Sequence, residues 1–435
     1  MDWIDTLDSC PPGRRLPPEG RSPFQQDADR IVFSSAFRRL QNKTQVHPLP
    51  HTDYVRTRLT HSMEVASVGR SLGNQVARRL LADDKSLAAI RPHLAADLGD
   101  IVAAACLAHD IGNPPFGHTG EQAIQHWFDE NRDDAFKDAL NETEQTDLLR
   151  FEGNAQGYRI LTRLQMDRDD GGMRLMDATL GAFTKYPSGS LAQKSGDYIG
   201  RKKHGFDAAE AEIFAAMAGR LKLKPLAGVP QAWQRHPLAY LVEAADDICY
   251  RVIDVEDGVK LGRIGFSEAE SLLGQLIAGK QSENYYRRSV DEKLSTLRSR
   301  AIGGLLDACC DAFIDPANGF LDGAAGRDLL SATPLQAPAK ALKDLALQRV
   351  YQWERTVGEE FKGINAIQHM LRQFVAALNA SKKNVTAQRL LVLIPHMPKE
   401  DAPRYLRLLA ITDYISGMTD RFAVETWERL RDVTV

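Results

Sequence analysis

The chain of 435 residues is 43% hydrophobic and 26% charged, which excludes disorder as its overall state, and its length allows two or three domains. A net charge of −3 argues against a generally basic, nucleic-acid-coating protein while leaving room for local basic pockets. The five cysteines (Cys10, Cys106, Cys249, Cys309, Cys310) form no CxxC pair and no even framework, which suits a reducing cytosol, and Cys106 and Cys249 read as inert core thiols in apolar runs.

Met1-Asp2-Trp3-Ile4-Asp5 lacks the basic start and apolar core of a signal peptide, and no apolar run approaches the roughly 20 residues that span a bilayer. The expectation is a cytoplasmic protein without a membrane partner. Residues 1–30 read as an arm, because Pro11-Pro12-Gly13-Arg14-Arg15 and Pro17-Pro18 interrupt regular structure. From Ile31 the pattern is helical, with apolar residues three and four apart in 61–82, 97–110, 119–129, 172–183, 236–259, 266–280, 284–315, 338–358, 362–380, 386–395 and 400–432. Ile101–Ala108 is apolar nearly all round, as in an interior helix. Strand candidates are confined to short stretches near 43–48 and 54–58. The expected fold is therefore all-α with at most a small β-hairpin. Residues 130–147 read as a charged, solvated insertion, and 186–206 and 315–328 as further loops. No repeat and no low-complexity tract is visible.

Three pieces of the chain carry candidate chemistry. They are Arg56-Thr57-Arg58-Leu59-Thr60-His61-Ser62, the run His109-Asp110-Ile111-Gly112-Asn113-Pro114-Pro115-Phe116-Gly117-His118-Thr119-Gly120-Glu121, and Ala244-Ala245-Asp246-Asp247-Ile248-Cys249-Tyr250. Together they offer imidazoles and carboxylates, the mixed nitrogen and oxygen set that a divalent ion accepts. Distant helices that each contribute a ligand are how helical bundles build metal sites. His118 and Glu121, three apart at a helix start, suit an oriented acid–base pair; Thr119-Gly120-Glu121 would serve equally as a helix cap.

The order His … His-Asp … Asp resembles the HD-domain metal-dependent phosphohydrolases. The fuller resemblance is to the deoxynucleoside-triphosphate triphosphohydrolases, the dGTPase-like family. It rests on the blocks at 56–62 and 109–121, on Phe151-Glu152-Gly153-Asn154-Ala155-Gln156-Gly157, on Lys185-Tyr186-Pro187, on 243–250, and on Asp413-Tyr414-Ile415-Ser416-Gly417-Met418-Thr419-Asp420-Arg421, and it runs from about Asp29 to the C-terminus. It implies an HD helical bundle over 31–260, with 261–435 as a C-terminal helical region packed on it.

The resemblance implies His61, His109, Asp110 and Asp246 as metal ligands. In the family the last ligand stands four residues before a tyrosine that faces the sugar and eight before a second aspartate. Asp246, Tyr250 and Asp254 fit that spacing on one helical stripe, and Asp247 would point about 100° away. The resemblance further implies His118 and Glu121 as the catalytic pair. Arg58, Asn154, Lys185, Lys203, Tyr250 and Arg421 become candidate phosphate contacts, with Arg201 and Lys202 as alternatives in the same loop. Gln45, Tyr250 and Asp254 would hold the deoxyribose, Tyr250 leaving no room for a 2′-hydroxyl; read alone, Gln45 serves as well as a strand-surface amide.

The implied activity is metal-assisted hydrolysis of a dNTP at the α-phosphorus to deoxynucleoside and triphosphate. His118 would be acid, base or nucleophile. Mg²⁺ or Mn²⁺ are the first metal candidates, and Fe, Co, Ni and Zn are also admitted. A homo-oligomer, tetramer or hexamer, is implied, and activation by a second nucleotide is common among relatives. Arg78-Arg79 and Arg201-Lys202-Lys203 leave single-stranded nucleic acid open as a secondary partner. The rival readings are an HD phosphohydrolase acting on another nucleotide phosphate ester, and a nucleotide- or DNA-binding sensor.

Overall fold

A computed structural model of the chain describes residues 3–18, 20–45, 56–165, 171–194, 198–351 and 354–435. Among them the fold is all-α, with isolated bridges and no sheet. One antiparallel bridge, Thr44 to Thr57, joins the flanks of the expected hairpin; residues 46–55 lie outside the described residues.

The helices that build and support the core around the site are α1 (Pro23–Val32), α2 (Arg58–Asp83), α3 (Leu94–Ala108), α4 (Gly117–Glu130), α5 (Gly153–Arg159), α6 (Asp177–Phe183), α7 (Pro237–Lys260), α8 (Val290–Ile314), α9 (Glu354–Asn379), α10 (Arg404–Ser416) and α11 (Asp420–Leu430). Local chemistry sets their starts. Thr57 and Thr60 cap each other at the head of α2, and His236 caps α7 ahead of Pro237, which needs no N–H partner in the first turn. α3 is buried on all faces from Leu98 to Ala108, as its apolar run implies. It lies close against α2, where a Cβ on Gly73 would stand 2.6 Å from the Leu98 carbonyl oxygen.

The buried side chains form two clusters. The first gathers α1, α2, α3, α6, α7 and α8 and extends to Val350. The second joins Phe116 and α4 to the stretch Ala135–Phe151 and to α9, α10 and α11.

Several segments differ from the sequence pattern for identifiable reasons. Residues 130–147 are not a solvated insertion. They contain the helices Arg132–Phe136 and Glu142–Leu149, the second closed by an Asn141–Glu144 capping box, with Ala135, Phe136 and Leu140 buried in the second cluster. Their charge density masks a short apolar face. The helix expected over 338–358 is Gln336–Ala346 followed by a π-helical turn, Leu347–Tyr351. The one expected over 400–432 divides into α10 and α11, where Thr419 caps a new start. Helical structure also begins ahead of Ile31, since Ser22 and Pro23 open α1 within the expected arm.

That arm is docked. Trp3, Ile4 and Leu7 are buried in the first cluster, and the Arg14 guanidinium meets Asp27 at 2.6 Å with both side chains wholly buried. Asp27 also accepts from the Thr179 hydroxyl at 2.7 Å and the Met176 N–H at 2.9 Å. Removing one partner of such a pair strands the other in a dry interior. Arg14→Ala is thus expected to cost about 3–5 kcal/mol in urea unfolding, and a loss below about 1 kcal/mol would show the pair to be dispensable.

Candidate functional site

α2, the end of α3 and α7 bring His61, His109, Asp110 and Asp246 together. His61 Nε2 lies 3.0 Å and His109 Nε2 3.6 Å from Asp246 Oδ1, and one donor atom of each of His61, His109 and Asp110 lies within 4.8 Å of the others. The His109 Nδ1–H donates to the Cys106 carbonyl at 2.7 Å, which leaves the Nε2 lone pair facing the cluster. Asp247, by contrast, pairs with Arg251 at 3.1 Å. Burial works against ionisation of Asp246, yet His109 and His61 hold its carboxyl well below the usual range. Burial likewise opposes ionised Asp110, and the Arg58 guanidinium 2.8 Å away, with His109 and His61, outweighs it. Two imidazole nitrogens and two carboxylates, with the tautomer of His109 fixed by a carbonyl, fit a divalent metal ion.

The Asn113-Pro114-Pro115-Phe116-Gly117 bend turns the chain from this cluster into α4. Phe116 (φ 62°) and Gly117 (φ 57°) are both left-handed, and a Cβ at Gly117 would stand 2.5 Å from Arg58 Nη2, so a larger residue there would be strained and would push the guanidinium aside. The Phe116 N–H donates to Asp420 Oδ1 at 3.0 Å, and Asp420 is itself buried. His118 thus enters on the first turn of α4 with its side chain 75% exposed and its Nδ1 bonded to Glu121. The other oxygen of Glu121 accepts the Gly153 N–H at 2.8 Å. Glu121 therefore orients His118 rather than capping α4. Burial would raise the Glu121 carboxyl, but His118 and Lys203 pull it below its ordinary value.

One cavity of about 590 Å³ carries both groups on its wall. Three of its cations are held by a carboxylate: Arg58 by Asp110, Lys185 by Glu243 at 3.2 Å, and Lys203 by Glu152 at 2.8 Å. Burial alone would weaken the charge on Lys185; Glu243 keeps it firmly protonated. Asn154 donates to Glu152 at 2.7 Å and also lines the wall. In the neighbouring loop Lys202 reaches the cavity, whereas Arg201 is turned to the Ala192 carbonyl. Arg421 is not brought to this cavity. Its side chain is 80% exposed and pairs with Glu425 at 2.7 Å, because the helix start that turns Asp420 inward turns the next residue out.

Gln45 and Tyr250 also line the wall, and the Gln45 Oε1 is buried without a protein partner among the described residues. Tyr250 stacks on Tyr351, with ring centroids 5.5 Å apart. Asp254 does not reach the wall. It is buried and accepts the Tyr351 hydroxyl at 2.6 Å, and burial pushes its carboxyl up to about 7 against that hydrogen bond. Tyr351 escapes sequence reading because it ends a π-helical turn inside an unbroken helical pattern. Glu152, Glu243 and Asp420 stand inside or beside blocks already singled out, and their signal is that adjacency alone.

Residues 58–154 match the HD domain, and residues 331–429 match the phosphohydrolase-associated domain. The chain is similar to a deoxyguanosinetriphosphate triphosphohydrolase-like protein of Pseudomonas aeruginosa, 41% identical over 98% of this chain and 97% of the relative. It is 38% identical to a protein of the same description from a Synechocystis species, over 100% of both chains. The deoxyguanosinetriphosphate triphosphohydrolase of Klebsiella pneumoniae is 31% identical over 94% of each. No helix among the described residues is long and apolar enough to cross a membrane.

Proposed function

The chain belongs to the deoxyguanosinetriphosphate triphosphohydrolase-like family of HD-domain hydrolases, and on that premise we propose that it hydrolyses deoxynucleoside triphosphates, dGTP or several dNTPs, to deoxynucleoside and inorganic triphosphate. The observation that carries the reading is the sharing of one cavity by the imidazole–carboxylate cluster, the His118–Glu121 pair and three carboxylate-held cations. His61, His109, Asp110 and Asp246 would hold a divalent ion, Mg²⁺ or Mn²⁺ first among the candidates, which when bound would supply Lewis-acid chemistry for the phosphate.

The protein's own groups do the rest. Arg58, Lys185 and Lys203 offset the charge of the triphosphate and of the transition state. Attack at the α-phosphorus forms one phosphorus–oxygen bond to water-derived oxygen and breaks the bond to the 5′-oxygen, which must gain a proton. His118, held by Glu121 and open to the cavity, moves that proton. Gln45 and the Tyr250–Tyr351 stack receive the sugar, and the tyrosine surface crowds out a 2′-hydroxyl.

Purified protein incubated with each dNTP and Mg²⁺ or Mn²⁺ is expected to release triphosphate and deoxynucleoside, resolved by ion-exchange chromatography. Release of pyrophosphate or phosphate would move the activity to another phosphate ester. Binding without turnover would make the protein a nucleotide sensor.

A further inference from the structure

Beyond Lys203, away from the cavity, a second group of metal-ligating side chains is closed off from solvent. Asp147 comes from the helix Glu142–Leu149, and His204 and Asp207 from the chain just after Lys203. One donor atom of each lies within 4.8 Å of those of the other two, and all three residues are buried, His204 completely.

Their hydrogen bonds leave the facing atoms bare. Asp147 Oδ2 accepts from the Tyr405 hydroxyl at 2.6 Å and the Ala208 N–H at 2.9 Å, while Asp147 Oδ1 is buried with no partner. The Gln193 amide donates to the Lys202 carbonyl at 3.3 Å, which turns its Oε1 toward His204 Nδ1 at 3.4 Å. An amide oxygen only accepts, so Nδ1 carries the imidazole proton and Nε2 keeps its lone pair. That Nε2 has no hydrogen-bond partner either, and lies 3.4 Å from Asp207 Oδ1. The Ser190 hydroxyl is buried within reach of the Asp147 carboxylate, to which it can turn its proton. Lone pairs therefore converge in a dry pocket, an arrangement that proteins otherwise avoid. The arginine acting on Asp207, Arg159, spends its own bonds on Glu210 at 2.6 Å and Asp413 at 2.9 Å.

We propose that Asp147, His204 and Asp207, with the Ser190 hydroxyl as a further oxygen donor, form a second divalent-cation site that takes zinc. One imidazole, two carboxylates and the hydroxyl make four donors of the nitrogen and oxygen kinds that zinc accepts, in a pocket of buried side chains. A tetrahedral shell with bonds of about 2.1 Å spaces its ligands about 3.4 Å apart, the separation of His204 and Asp207. Calcium needs six to eight oxygens and magnesium keeps several waters, and neither suits three buried side chains. The ion ties the helix Glu142–Leu149 to the segment carrying Lys203, and through Tyr405 to α10. It acts as a staple next to the phosphate wall, not as a reagent.

Zinc content by mass spectrometry tests this independently of the substrate. In Asp246→Ala protein, gel-filtered after brief chelation, about one zinc per chain is expected to remain; in Asp246→Ala/His204→Gln protein it falls below about 0.2. Equal zinc in the two proteins, or none in the first, overturns the site. Should the double variant fail to fold by circular dichroism, Asp207→Asn replaces His204→Gln. Zinc chloride added to folded, metal-stripped Asp246→Ala protein must also raise its melting temperature, by roughly 3–6 °C. An unmoved melting temperature overturns the site as well.

Discussion

Asp246→Ala is expected to empty the active-site cavity of its divalent ion and to lower turnover by at least ~10³-fold, on the order of 4 kcal/mol of transition-state stabilisation. Asp247→Ala is expected to keep both. The two carboxylates are adjacent on α7, so composition and burial treat them alike, and only the register separates them. Asp246 stands within 3.6 Å of both imidazoles, while Asp247 turns to Arg251 at 3.1 Å. Losing Asp246 removes the oxygen between His61 and His109; losing Asp247 frees Arg251, on a face of α7 turned about 100° from the ligand. Metal content and initial rates with dGTP measure the contrast. Equal metal loss in the two variants would place the ligand on the wrong residue of the pair.

His118→Ala is expected to reduce kcat by about 10²–10⁴-fold while leaving KM for the nucleotide within a few fold. The side chain is 75% exposed; its loss takes the imidazole from the buried Glu121 Oε2, but Glu121 keeps the Gly153 N–H and the nearby Lys203, and the cations of the phosphate wall stay in place. Glu121→Gln should fall between the variant and the parent, since a neutral amide still touches the ring but cannot stabilise its cation. Steady-state rates, with nucleotide binding measured separately by calorimetry, check both. A kcat within tenfold of the parent in His118→Ala would transfer the proton work to another group. A matching loss of binding affinity would make His118 a substrate clamp instead.

The helical architecture was legible because its long segments, such as α2, α3, α7, α8 and α9, carry a sustained three-and-four spacing; the short, polar α5 carries none and lies outside every expected helix. Legibility failed where a local device overrode the pattern. A proline at the first turn opened α1 early, a capping box inside a charged tract made Glu142–Leu149, and a π-helical turn ended the helix before Tyr351. The candidate site was readable to the extent that its groups lie in contiguous blocks, as His109 to Glu121 do. Arg421 shows the limit of that approach. It shares a block with Asp420, yet one helical step separates a buried carboxylate that holds the Phe116 N–H from an exposed guanidinium paired with Glu425. Asp254 shows another, since the right stripe of α7 left it behind the Tyr351 hydroxyl rather than on the wall.

The five-residue bend before His118 joins side chains that answer to different interiors. His61, His109 and Asp246 ride on helices of the first cluster, whereas Phe116 and α4 are anchored among α9, α10 and α11. The reacting centre is thus a seam, and its alignment is only as good as the fit between two bodies of side chains. Damage far out in the C-terminal helices will then register as a kinetic defect, with every ligand and every acid–base group still in place. For this chain, a silent active site is no proof of an injured one.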